Sequence, residues 1–139
     1  MNSRTTTIED CKLFKLPKLG NRSGNITPIQ NHIDIPFEIK RIYYLYDVPG
    51  GETRGGHAHI ELQQLIVAGS GSFDVNLHDG KNEKTVTLNS PDEGLLMPVG
   101  IWRDLSNFSS GSICLVLASH LYTEDDYIRS FDDFLNYKK

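Results

Sequence analysis

"RGGHAHIELQQ", residues Arg54 to Gln64, decides how this 139-residue chain is read. His57 and His59 are one residue apart, and residues i and i+2 of a strand share a face, so both imidazoles point to one side. Five positions after His59, where a carboxylate would complete a metal-ligand set, the chain has the neutral amide of Gln64. Two imidazoles and an amide are a poor set for zinc or iron, which take histidine, thiolate or carboxylate. Two imidazoles buried side by side are also costly as plain core residues, because each needs partners. The pair therefore points to proton chemistry near neutral pH.

Around this stretch the chain reads as short β-rich segments separated by turns. These are "IKRIYYLYDV", "HAHIE", "QLIVAGSGSFDVNLHDG", "EKTVTLN", "GLLMPVG", "IWRDLSNFS" and "ICLVLASHLY". Phe73, Val75 and Leu77 alternate with Ser72, Asp74 and Asn76, the pattern of a strand with one face buried. Regularly spaced short strands with Gly and Pro punctuation favour a sandwich or small barrel. The tail "TEDDYIRSFDDFLNYKK" reads as a helix capped by Thr123, acidic in its first turn, with Ile128, Phe131 and Leu135 on one face. The polar opening residues, Met1 to Ile8, are expected to be loose. The expectation is one all-β domain over residues 1–139 with a short closing helix.

Composition narrows the function. A net charge of −4 with no basic face gives no support for nucleic-acid binding. Apolar runs of only a few residues span no membrane. Cys114, in "SICLVLAS", reads as a small buried hydrophobe, and a two-cysteine disulfide framework is not expected. No secretory signal is read at the start, so the cytoplasm is the expected compartment.

The spacing resembles the two motifs of the cupin superfamily of small jelly-roll barrels. Gly51, His57, His59, Gln64 and Gly71 fall in the first, and "PVGIWRDLSN" supplies Pro98, Gly100, Arg103 and Asn107 of the second. The scaffold positions agree, but two metal-ligand positions do not. Where the later histidine of a metal-binding cupin would stand, the chain has Arg103, which offers no lone pair to a metal and repels a divalent cation. The flanks are more specific. "IPFEIKRIYYLYDVPGGETRGGHAH", "GIWRDLSNFS" and "CLVLASHLYTEDDYIRSFDDF" closely resemble the nucleotide-sugar 3,4-ketoisomerases, from about Gly24 to Phe134. In that family a large residue, often arginine, usually precedes a glycine near the start; here Ser23 precedes Gly24, with Arg22 one place earlier.

The resemblance implies action on dTDP-4-keto-6-deoxyglucose, moving the ketone from C4 to C3 through an enediol, with neither metal nor other cofactor. His57 matches the family's principal catalytic histidine and is expected to be the base. His59 is expected to relay a proton or assist at the neighbouring oxygen. Arg103 or the Tyr43 hydroxyl would stabilise the oxyanion. Arg41 and Arg54 are candidate diphosphate contacts, and Gln64, Trp102 and Asn107 complete the candidate substrate-binding set. Arg41 and Tyr43 share one strand face and Tyr44 and Tyr46 the other, but alternation leaves open which face is inward. The resemblance also implies a homodimer, with strand exchange and the product's C4 configuration left open. The rival readings are a dTDP-sugar 3,5-epimerase-type cupin, which pairs its catalytic histidine with an aspartate not obvious near His57, a non-catalytic sugar-binding cupin, and a metal-dependent cupin, which Gln64 and Arg103 disfavour.

Overall fold

The structure, a computed structural model, describes Met1–Lys139. In chain order its elements are β1 (Lys12–Lys15), β2 (Leu19–Asn21), β3 (Gly24–Ile26), β4 (Arg41–Leu45), β5 (Arg54–His59), β6 (Gln64–Ser70), β7 (Phe73–His78), β8 (Glu83–Leu88), β9 (Glu93–Met97), β10 (Trp102–Ser106), β11 (Ile113–Ala118), β12 (Tyr127–Ile128) and one helix, α1 (Phe131–Lys138). Ten of these strands form two five-stranded sheets, ordered β1-β9-β6-β11-β4 and β12-β5-β10-β7-β8, while β2 and β3 form a hairpin. Every pairing between these strands is antiparallel.

The core lies between the sheets because period-2 patterning gives each an apolar inner face. Ile66, Ala68, Leu95, Met97, Cys114 and Val116 of the first sheet pack with Phe73, Val75, Leu77 and Leu105 of the second. Phe73 is fully buried, and truncating such a side chain to alanine costs about 3–5 kcal/mol. Cys11 and Cys114 are free and buried, and burial pushes their thiols up to about 11 and about 12. The first sheet's outer face is covered over Leu65, Val67 and Leu117 by Leu16, Ile35 and Phe37. On the edge strand β4 that cover stops, leaving Ile42 and Tyr44 exposed.

Two expectations are corrected. The tail is not one helix from Thr123. Thr123 precedes a single 3-10 turn, Glu124–Asp126, and the chain then extends as β12, pairing Tyr127 with His59 and Ile128 with Ala58. Edge pairing with β5 outweighs the helical pattern here. The helix starts only at Phe131, where the Ser130 hydroxyl accepts from the Asp133 N–H, and Phe134 is its buried residue. Nor do the opening residues lack anchors. Lys138 Nζ donates to the carbonyls of Ser3, Thr6 and Gly100, Thr6 Oγ1 donates to the Val99 carbonyl, and Ile8 is buried. Gly100 has φ 73° and lies so close to Ser3 that a Cβ would collide with its carbonyl.

Candidate active site

A cavity of about 360 Å³ opens between the sheets, with Arg41 and Tyr43 from β4, Arg54 and His57 from β5, Gln64 from β6 and Arg103 from β10 on its wall. Alternation on β4 thus turns Arg41, Tyr43 and Leu45 inward. The pairing of β5 with β10 sets His57 opposite Arg103, and its register then slips so that Leu105 faces Arg54. The extra residue falls at Gly55–Gly56, where Gly55 has φ 75°. Such a bulge re-aims its neighbours, here placing Arg54 on the same wall as His57.

Arg103 is buried, and its Nη1 donates to Gln64 Oε1 at 2.5 Å. Nε and Nη2 both donate to the Ile101 carbonyl, at 3.3 and 3.1 Å. None of the molecule's ion pairs involves Arg103. A guanidinium stays protonated in a protein, so the wall holds a fixed cation with no carboxylate against it. The amide of Gln64 is used at both ends, because its Nε2 donates to the Tyr43 hydroxyl oxygen at 3.1 Å. That oxygen acts as acceptor, leaving the Tyr43 O–H free to donate into the cavity. Burial raises the Tyr43 pKa, so the phenol keeps its proton.

His57 is pushed down to about 3 by burial first, then by the charges of Arg103 and Arg129, with the Gly55 backbone acting the other way. His59 is lowered further by burial and by Arg103. Both imidazoles are therefore neutral at pH 7, and the Nε2 of each is buried without a partner. Their rings meet edge to face with centroids 4.8 Å apart. His57 borders the cavity, whereas His59, with no exposed surface, lies behind it and is covered by Tyr127 at 4.3 Å between centroids.

The cavity brings together Arg41, Tyr43, Arg54, His57, Gln64 and Arg103. It does not gather Trp102 and Asn107. Trp102, next to Arg103 on β10, faces the opposite way and packs on Phe131 and Phe134 of α1, at 5.3 and 5.8 Å between centroids. Asn107, at φ 57° just past β10, is exposed and donates to Asp74. Sequence reasoning missed three residues of the tail. Tyr127 and Arg129 line the cavity, and Asp126 hydrogen-bonds His59 at 3.0 Å. Arg129 lies over the Tyr127 ring and grips Glu124 through two hydrogen bonds, holding that carboxyl well below its usual range. All three lie in the "DDYIR" stretch that carries part of the family resemblance, but the helical reading of the tail gave them no place in the site.

Comparison with known proteins matches residues 9–139 to the family model described as "FdtA: WxcM-like, C-terminal". The TDP-4-oxo-6-deoxy-alpha-D-glucose-3,4-oxoisomerase of Aneurinibacillus thermoaerophilus is 41% identical over 126 residues, covering 91% of either chain. A crystal structure of a 3,4-ketoisomerase from Helicobacter canadensis superposes with TM-score 0.89 at 43% identity, covering 91% of this chain and 96% of that one. A mutant of the 3,4-ketoisomerase QdtA from Thermoanaerobacterium thermosaccharolyticum, histidine replaced by asparagine and in complex with TDP-4-keto-6-deoxyglucose, gives TM-score 0.89 at 39% identity over 91% of either chain. By sequence and by structure, the chain belongs to the FdtA-type family of sugar 3,4-ketoisomerases.

Proposed function

We propose that the protein converts dTDP-4-keto-6-deoxyglucose to the 3-keto isomer through an enediol, without a metal. The observation that carries this reading is the buried Arg103 guanidinium, free of any carboxylate, on a wall shared with the neutral imidazole of His57. A neutral imidazole accepts a proton, and a desolvated cation stabilises the oxyanion that results. His57 takes the proton from C3. The electron pair forms the C3–C4 double bond, and the former C4 carbonyl oxygen becomes an enediolate facing Arg103. Tyr43 gives that oxygen its hydroxyl proton and recovers one from the hydroxyl at C3. As the C3 carbonyl forms, C4 takes a proton from His57, whose N–H exchanges with solvent through the open cavity before the transfer. Atoms and electrons balance without a redox partner. His59 takes part from behind the wall, through His57, and Gln64 orients Arg103 and Tyr43.

Arg41 and Arg54 suit the diphosphate. The Nε and Nη2 of Arg41 are buried without partners, and guanidinium groups bind phosphate oxygens in pairs. The relative complexed with TDP-4-keto-6-deoxyglucose supports the same substrate here. The two sheets are proposed to close as a cupin jelly-roll barrel. The exposed Ile42, Tyr44 and Tyr46 beside each other on one face are proposed as the contact of a homodimer. No helix is long and apolar enough to cross a membrane, and two free cysteines suit the proposed cytoplasmic setting.

The test uses substrate carrying carbon-13 at C4 and chelator-treated protein. Movement of the label from the carbonyl to the carbinol region of the spectrum is expected. A label that stays a carbonyl through many equivalents of enzyme time would overturn the proposal.

A further inference from the structure

His59 stands between the reacting wall and a carboxylate from the "DDYIR" tail. Asp126 Oδ2 lies 3.0 Å from His59 Nδ1. The same carboxylate accepts from two backbone N–H groups of the β5–β6 connection, Glu61 at 2.7 Å on Oδ1 and Leu62 at 3.1 Å on Oδ2. Both of its oxygens are taken by donors, so it faces the imidazole as an acceptor. A neutral imidazole carries one N–H, and the nitrogen facing an acceptor must be the one that bears it. His59 is thereby held as the Nδ1–H tautomer, and its Nε2, on the far side of the ring and without a partner, is a bare lone pair.

This matters for His57. The charges that oppose a proton there are Arg103 from β10, Arg41 from β4 and Arg129 from the tail. Tyr127 packs its ring on both imidazoles. Against three guanidiniums stand the Glu124 carboxylate, itself gripped by Arg129, and the His59 ring, which meets His57 edge to face and carries a negative lone pair at Nε2 in only one tautomer. In the other tautomer its Nε2–H would add a fourth positive pole.

Resting on the ketoisomerase reading above, we infer that Asp126 is a positioning residue of the reaction: it fixes the His59 tautomer, so that the ring packed edge to face on His57 keeps a bare nitrogen rather than a second N–H while His57 carries the proton removed from C3. Asp126 touches neither substrate nor cavity wall. It acts through His59, as the outer carboxylate does in other aspartate–histidine pairs, where it orients the ring and supports its positive form.

The test is Asp126→Asn, which keeps an oxygen for the Glu61 N–H while presenting an N–H to His59, at the loss of the acceptor for the Leu62 N–H. Nitrogen-15 spectra of histidine-labelled protein report which ring nitrogen carries hydrogen. In the unmodified protein His59 is expected to be protonated at Nδ1; protonation at Nε2 overturns the inference, whether or not the variant folds. In Asp126→Asn the tautomer is expected to shift, with kcat and exchange of the C3 proton falling together by about 100-fold. KM and the affinity for TDP should stay within about twofold. A variant with unchanged kcat, or one whose loss lies in TDP affinity, overturns the inference. Failure of the unmodified protein to turn over the substrate would instead sink the ketoisomerase reading, while the nitrogen-15 result would still decide the tautomer.

Discussion

Gln64→Glu probes the role of the buried cation most sharply, because it changes one amide to a carboxylate and keeps the side chain's shape. Gln64 Oε1 already lies 2.5 Å from Arg103 Nη1. A carboxylate there forms a buried ion pair and cancels the charge that the enediolate needs. Two unit charges 4 Å apart at an effective dielectric near 20 interact by about 4 kcal/mol, which corresponds to about 10³-fold in rate. Loss of one oxyanion donor typically costs about 10²–10³-fold in kcat, so a fall of that size is expected. The carboxylate would also draw the Tyr43 O–H towards itself, removing the proton offered to the C4 oxygen. Stability should not fall, since the new charge has a partner in place. The assay is turnover of TDP-4-keto-6-deoxyglucose in chelator-containing buffer, with thermal denaturation and TDP titration alongside. A folded, TDP-binding variant that retains kcat within about threefold would refute the oxyanion role of Arg103.

Other consequences can be checked separately. His57→Asn should abolish isomerisation while leaving the fold and TDP affinity intact, and substantial turnover would remove His57 as the base. Both imidazoles have pKa values below their unfolded value of 6.5, so the unfolded state binds the extra protons and stability is lost as pH falls below 6.5. Each contributes up to about 1.4 kcal/mol per pH unit, giving a loss of roughly 2 kcal/mol between pH 6 and pH 5. Urea denaturation across that range measures it, and a flat profile would contradict neutral, buried imidazoles. Tyr44→Asp, on the exposed face of β4, should convert a dimer to monomers in sedimentation equilibrium; an unchanged mass would move the interface elsewhere.

The centre of the site was legible because it follows from short-range geometry. His-x-His on a strand puts both rings on one side, and the spacing of Pro98, Gly100 and Arg103 brings the guanidinium opposite His57. What alternation left open, the inward face of β4, is decided by tertiary packing against β11, where Tyr43 pairs with Val116. Trp102 was a readable case that went unread: as the immediate neighbour of an inward residue it must face outward. Asp126 lies in the tail that carries part of the resemblance, but its partner was not readable. It meets His59 across 67 residues of sequence, from a segment whose acidic start and apolar spacing read as helix. Only edge pairing with β5 turns that segment into the strand that covers the imidazoles. The rival reading's histidine–aspartate pair thus has a counterpart here, but on His59, one layer behind the wall.

The most direct measurement of metal-free ketone migration is proton NMR of TDP-4-keto-6-deoxyglucose with the chelator-treated protein in D₂O. The account predicts that the ketone moves to C3 and that deuterium appears at C4, with coupling constants that reveal the product's configuration. Exchange at C3 and C5 with the ketone still at C4, or turnover only after a metal is restored, would contradict it.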